Sequence, residues 1–155
     1  MTHPAVTRFL EAAAEAGLVP EVREFDESTH TAAEAAAAIG CDVAAIVKSL
    51  LFEADGAPVL VLVSGPNRVD TAALGEALGV RLGKADAAAV KEATGYSIGG
   101  VPPLGHRTRL RTVLDESLLG LDVVWAAAGS PTAVFAIDPA ELARLTQAEI
   151  QSVTG

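Results

Sequence analysis

The chain has 155 residues, half of them hydrophobic and 20% charged, which excludes disorder and gives a core large enough to need no disulfide staples. Thirty-one of the apolar residues are Ala and only six side chains are Phe, Tyr or Trp, so the core must rest mainly on Val and Leu. The formal net charge of −9 excludes a general nucleic-acid binder, because non-specific affinity comes from neutralising phosphates.

Residues 4–16 place Val6, Phe9, Leu10 and Ala13 on one helical face, with Gly17 as a stop. Val22 and Phe25 lie in a short strand. Thr31 and Glu34 have capping-box spacing ahead of an alanine-rich helix that ends at Gly40. Residues 46–53 and 58–64 form two strands joined by a turn at 54–56, a hairpin. Gly65-Pro66-Asn67 breaks the second strand, and Asp70 or Thr71 caps a helix running to Leu78. Asp86 caps another over 87–93, closed by Gly95. Residues 97–105 hold three Gly and two Pro and are irregular. Residues 107–113 alternate Arg/Thr with Leu/Val as a half-buried strand does. Residues 121–128 and 133–137 are strands around a turn at 129–131, and Asp138-Pro139 starts a last helix over 140–145 with a polar tail. Hairpins interleaved with irregularly placed helices predict one α+β domain over residues 1–155 with a mixed sheet. No stretch reads as a secretory signal or a membrane span, and one cysteine permits no internal disulfide, so a cytoplasmic protein is expected.

Few residues are placed for chemistry. Cys41, His3, His30 and His106 share no metal-ligand spacing, so no metal is expected. Cys41 reads as a small, partly buried apolar residue, and His3 and His30 as solvated ones. No Gly-x-Ser-x-Gly elbow and no Walker loop occur. Two features remain. Lys48 sits within Ile46-Val47-Lys48-Ser49-Leu50, where alternation puts its ammonium on an apolar face. Such a lysine either faces a cleft or an anion, or snorkels to water. The segment Thr94-Gly95-Tyr96-Ser97-Ile98-Gly99-Gly100-Val101-Pro102-Pro103-Leu104-Gly105-His106 is a rigid loop able to present amides to an anion or a developing oxyanion, or else a plain connector. It runs into Arg107, Arg109 and Arg111, and residues 68–111 carry seven basic against four acidic side chains.

Taken in order, these pieces resemble the YbaK/EbsC family, the prolyl-tRNA synthetase-associated editing domain. The resemblance runs from Thr31 through the Lys48 strand, Val69-Asp70, Ala85-Asp86 and the Gly99-Gly100 loop to the strand ending at Gly129. It implies a barrel-like mixed sheet with flanking helices and a hydrolase that removes wrongly attached amino acids from tRNA, with no cofactor. By position, Lys48 is the active-site lysine, with Gly99 and Gly100 beside the aminoacyl ester. Phe25, Ser49, Val101, Pro103, His106, Ala127, Gly129 and Ser130 are the expected substrate contacts. The cysteine-clearing branch of the family has Tyr near Phe25, Ser near Ala127 and an acid near Val134. Apolar residues at all three positions imply a more apolar pocket, suited to a small aliphatic amino acid. The implied partners are the aminoacyl-tRNA acceptor end and an aminoacyl-tRNA synthetase, with neither DNA nor membrane. Two other readings share these residues: a module that binds an aminoacyl end or nucleotide-like ligand without turnover, and a regulatory partner of a synthetase.

Overall fold

The computed structural model describes residues 3–25 and 31–154; His30 lies outside them. Helix α1 (Pro4–Glu15) buries Val6, Phe9 and Ala13, as its spacing predicts, and the His3 ring accepts from the Ala5 amide at 3.0 Å as its cap. After β1 (Val22–Glu24), helix α2 (Ala32–Ile39) is capped by the Thr31 hydroxyl, which accepts from the Glu34 amide, and ends on left-handed Gly40. The hairpin follows as β2 (Val47–Ala54) and β3 (Ala57–Ser64). Asp70 caps α3 (Thr71–Leu78), β4 (Leu82–Lys84) follows, and Asp86 caps α4 (Ala87–Thr94). The remaining elements are β5 (Arg111–Asp115), β6 (Val124–Ala127), β7 (Ala133–Ile137), α5 (Pro139–Thr146) and β8 (Glu149–Gln151).

The strands form two sheets. One has the order β4-β2-β3-β5-β8, with β2 antiparallel to β3 and β4, and β5 parallel to β3 and β8. The other, β1-β7-β6, is antiparallel throughout. Among the described residues they meet at a single bridge, between Ile46 and Trp125. The mixed α+β architecture is the expected one, but the sheets do not close into a barrel, because one bridge cannot supply the continuous ladder that closure needs.

Strand β3 explains why the hairpin sits at the centre. Every residue from Val59 to Val63 is at most 1% exposed. Its alternation sends Leu60 and Leu62 into the core shared with α1 and β7, and Val59, Val61 and Val63 into a second core shared with Leu74 of α3. The strand expected over 107–113 begins only at Arg111. Its first residues are tied instead to the end of α4, where the Arg107 amide donates to the Thr94 carbonyl and the Thr108 hydroxyl to that of Ala93. Strands β4 and β8, three residues each, have no periodic signal in the sequence. Among the described residues, no helix is long and apolar enough to cross a membrane.

Candidate active site

A cleft of about 670 Å³ opens beside the first half of β2. Its position follows from the ladder. Strand β4 pairs only with residues 52–54 and β6 touches the strand's start through the Ile46–Trp125 bridge, so among the described residues no ladder pairs the edge of β2 between them. The Gly65 amide donates to the Ile46 carbonyl at 2.8 Å, and Lys48 lies opposite Val63. Antiparallel alternation then turns the backbone groups of Ile46, Lys48 and Leu50 toward β3, and those of Val47, Ser49 and Leu51 toward that edge. The Ser49 peptide groups therefore face the cleft. The Ser49 hydroxyl is buried there too, without a hydrogen-bond partner.

Lys48 forms the rim. Its Nζ donates to the Asn67 carbonyl at 2.7 Å, and the Asn67 side-chain amide donates in turn to Asp115 Oδ2 at 2.9 Å. Asp115 is 2% exposed and accepts three further hydrogen bonds, from the Ser64 amide (3.1 Å), the Ser117 amide (3.0 Å) and the Ser117 hydroxyl (2.8 Å). This carboxylate ties the turn after β3 to the end of β5, and that turn presents the carbonyl to Lys48. Burial, and secondarily the Arg68 charge, push the Lys48 ammonium below the ordinary lysine pKa, while Asp115 partly restores it. The cost of desolvating this cation is offset by a fixed carbonyl and a nearby carboxylate.

The opposite wall is the glycine loop. Gly99, in the left-handed region at φ +89°, lines the cleft with Ile98 and buried Val101. Gly100 lies behind them. Its N–H already donates to the Ser97 carbonyl at 3.0 Å, closing a turn, so it is not directed at a ligand as expected. Its role is steric: a Cβ there would stand 2.8 Å from Ser130 Cα, so only glycine lets the two turns touch. The floor comes from β6 and β7, where Ala127 lies opposite Val134 in the register and Ser130 follows; all three line the cleft. The Ser130 and Thr132 hydroxyls are 3.2 Å apart.

Of the residues expected at the site, Lys48, Ser49, Gly99, Val101, Ala127 and Ser130 share this cleft. Gly129 sits behind it against α1, where a Cβ would meet the Ala5 carbonyl oxygen at 2.5 Å. Phe25 does not line it; the Phe25 amide instead extends the β1–β7 pairing by donating to the Thr132 carbonyl. Pro103 and His106 line a separate hollow, the His106 ring engaging the Pro102 carbonyl at 2.7 Å. Burial lowers the His106 pKa below its ordinary value. Sequence reasoning missed Trp125, Asn67 and Asp115. Trp125 lines the cleft, with the Arg23 guanidinium 5.4 Å from its ring centre. Among the described residues, no three His, Cys, Asp or Glu side chains gather as a metal site would require.

Comparison with known proteins gives a consistent answer. The sequence profile of the aminoacyl-tRNA editing domain matches residues 26–145. The chain is 31% identical over 131 residues to the uncharacterized protein YwhH of Bacillus subtilis (strain 168), covering 84% of this chain and 83% of that protein. It is 38% identical over 85 residues to the proline–tRNA ligase of Lactobacillus helveticus (strain DPC 4571), covering 54% of this chain but 15% of the ligase. Its fold matches the crystal structure of a protein proposed to be a trans-editing enzyme for prolyl-tRNA synthetase, with a TM-score of 0.95, 43% identity, and coverage of 100% of this chain and 99% of that one.

Proposed function

This chain belongs to the aminoacyl-tRNA editing domain family, and from that footing we propose that it hydrolyses the ester linking a small, apolar amino acid to the 3′ end of a wrongly charged tRNA. The observation that carries this reading is the meeting of the Lys48 ammonium, the Ser49 edge and the Gly99 turn on one cleft of about 670 Å³, a size suited to a small esterified sugar. Water attacks the ester carbonyl carbon. The bond from that carbon to the ribose oxygen breaks, and the proton lost by water ends on the ribose hydroxyl, leaving a free amino acid and an uncharged tRNA. An activated ester needs placement and charge stabilisation more than a protein nucleophile.

The Ser49 amide, turned to the stretch of edge between the β4 pairing and the Ile46–Trp125 bridge, takes the role of oxyanion donor that the glycine loop was expected to fill. Lys48, held by the Asn67 carbonyl, supplies positive charge to the ester or its ribose. Gly99 and Val101 set the far wall. Ala127 and Val134 keep the side-chain end of the cleft apolar, which favours alanine-like over cysteine- or acid-bearing substrates. A methylene's difference is worth only ~1–3 kcal/mol in such a pocket, so larger amino acids are rejected by size.

The test is deacylation of tRNA charged with alanine, serine, cysteine and proline, by wild type and Lys48→Ala. Turnover of one small amino acid, lost in a folded Lys48→Ala protein, supports the reading. Saturable binding of charged tRNA without turnover of any of them refutes it in favour of a binding module.

A further inference from the structure

The cations of the chain do not act as a unit. Arg111 pairs with Glu149, Arg144 with Glu141, and Arg109 donates to Gln147. Arg8, Lys91 and Arg107 have no acidic partner among the described residues, yet they line one hollow of about 660 Å³. Gly95 lies at their meeting point: a Cβ on it would be 3.7 Å from an Arg8 guanidinium nitrogen and 3.5 Å from Arg107 Cβ, and its carbonyl lies 3.4 Å from Lys91 Nζ. Arg8 also stacks over the Tyr96 ring at 5.0 Å, which fixes its guanidinium. Among the described residues, the one acid on the rim is Glu92. The end of α4 adds about half a negative charge, so three cations exceed what their surroundings require. In a chain of net charge −9, such an excess in one place calls for an external anion.

The hollow and the active-site cleft are lined by neighbouring parts of one loop. Gly95 and Tyr96 wall the hollow, while Ile98 and Gly99 wall the cleft. Three residues of chain, from Tyr96 to Gly99, span at most about 11 Å. We infer that Arg8, Lys91 and Arg107 form a phosphodiester-binding subsite that holds the RNA backbone leading to the esterified ribose. This deepens the editing reading and rests on it. It also explains how an acidic protein takes an RNA end: it grips a few phosphates locally and repels the rest of the polyanion.

The experiment uses Arg8→Gln, Lys91→Gln and Arg107→Gln, all at exposed positions, with Arg144→Gln as a control that removes the same charge from α5. On mischarged tRNA, each subsite variant should raise KM about tenfold with kcat little changed. The logarithmic dependence on salt should flatten by about 0.7 for each phosphate no longer neutralised. Hydrolysis of an aminoacyl ester of adenosine, which has no phosphodiester, should be unaffected. Equal effects from Arg144→Gln, an unchanged salt slope, or equal damage to the adenosine ester would each overturn the subsite. Titration of uncharged tRNA separates this inference from the editing reading. If wild type hydrolyses no ester but the subsite variants still lose tRNA affinity and salt slope, editing fails and the subsite stands. Intact turnover with unaltered tRNA binding in the variants refutes the subsite alone.

Discussion

Gly100→Ala tests the contact on which the cleft's shape depends. The added Cβ would lie 2.8 Å from Ser130 Cα, 2.9 Å from Ser130 C and 3.1 Å from the Gly129 carbonyl oxygen. All three are backbone atoms, so no rotamer change relieves the overlap. The backbone φ of Gly100 is outside the left-handed region, and alanine keeps the N–H that donates to Ser97. The substitution therefore acts through volume alone. The turn over 97–100 must move from that at 129–131 by several tenths of an ångström, at a cost of about 1–3 kcal/mol. At about 2–4 °C per kcal/mol for a chain this long, Tm should fall by roughly 2–12 °C. The same shift moves Gly99 and Val101 relative to Ser130, all three on the cleft. Because a misplacement of about 1 Å can cost 10²-fold in rate, turnover should fall by about tenfold. Thermal unfolding monitored by circular dichroism, with deacylation at a temperature where the variant is folded, reads both. An unchanged Tm would show that the turns do not press on each other; a lowered Tm with full turnover would show that their contact does not shape the site.

Lys48→Met keeps the aliphatic stem and removes a half-buried charge, so stability should change by less than about 1 kcal/mol, whereas turnover should fall by at least about 10²-fold; a stability loss of the same rank would make Lys48 structural. With its pKa held below the ordinary lysine value by burial, the wild-type rate should decline on the alkaline side at lower pH than a free lysine would dictate, a limb that a pH–rate profile of Lys48→Met lacks. Ser49→Ala deletes a buried hydroxyl that has no partner; it should be neutral or stabilising by up to about 1 kcal/mol in urea unfolding, and marked destabilisation would mean the hydroxyl is engaged. His106 has a pKa lowered in the folded state, so the unfolded chain binds the proton more readily. Its share of stability is complete above about pH 6.5 and is lost as the pH falls below that value; His106→Gln should lose less stability than wild type between pH 7 and pH 5 in urea melts. Asp115→Asn places an amide hydrogen among donors and should cost about 2–4 kcal/mol, with turnover impaired in the protein that remains folded.

The sequence made local features legible because their causes are local. Thr31, Asp70, Asp86 and Asp138 cap helices where their spacing placed them, since an N-cap is decided within a few residues. The hairpin and the Val-rich β3 follow from alternation and a short turn. Partners distant in the chain were not legible. Glu149–Gln151 becomes a strand only because β5 offers an edge, and the polar residues Arg107 and Thr108 are claimed by the end of α4 rather than the sheet. At the site, Lys48 and Gly99 could be picked out because an ammonium in an apolar strand and a Gly-rich loop are unusual in themselves. Asn67 and Asp115 could not, since an Asn after Gly-Pro and an Asp at a strand end read as ordinary turn and cap residues. What distinguishes them is a hydrogen bond across 48 positions of chain.

The site exists because one strand stops short. Had β4 continued alongside β2 past Phe52, the Ser49 peptide groups would be spent on a ladder and the cleft would be filled by sheet. Uncovered edges usually invite pairing with another chain. Here the bridge at Ile46–Trp125 occupies one end of the edge, and Ile98 and Gly99 wall the cleft beside it. The ammonium needs a comparable restraint, because a lysine at a strand's start otherwise follows the water. Asp115 supplies it from the far end of β5 by fixing the turn whose carbonyl receives Lys48. Its four accepted hydrogen bonds all come from neutral donors, so none of them pairs the carboxylate with a cation. Under the proposed reading, a lysine held by a fixed carbonyl then stands beside an amide that no ladder uses, a combination suited to negative charge arising on an ester oxygen.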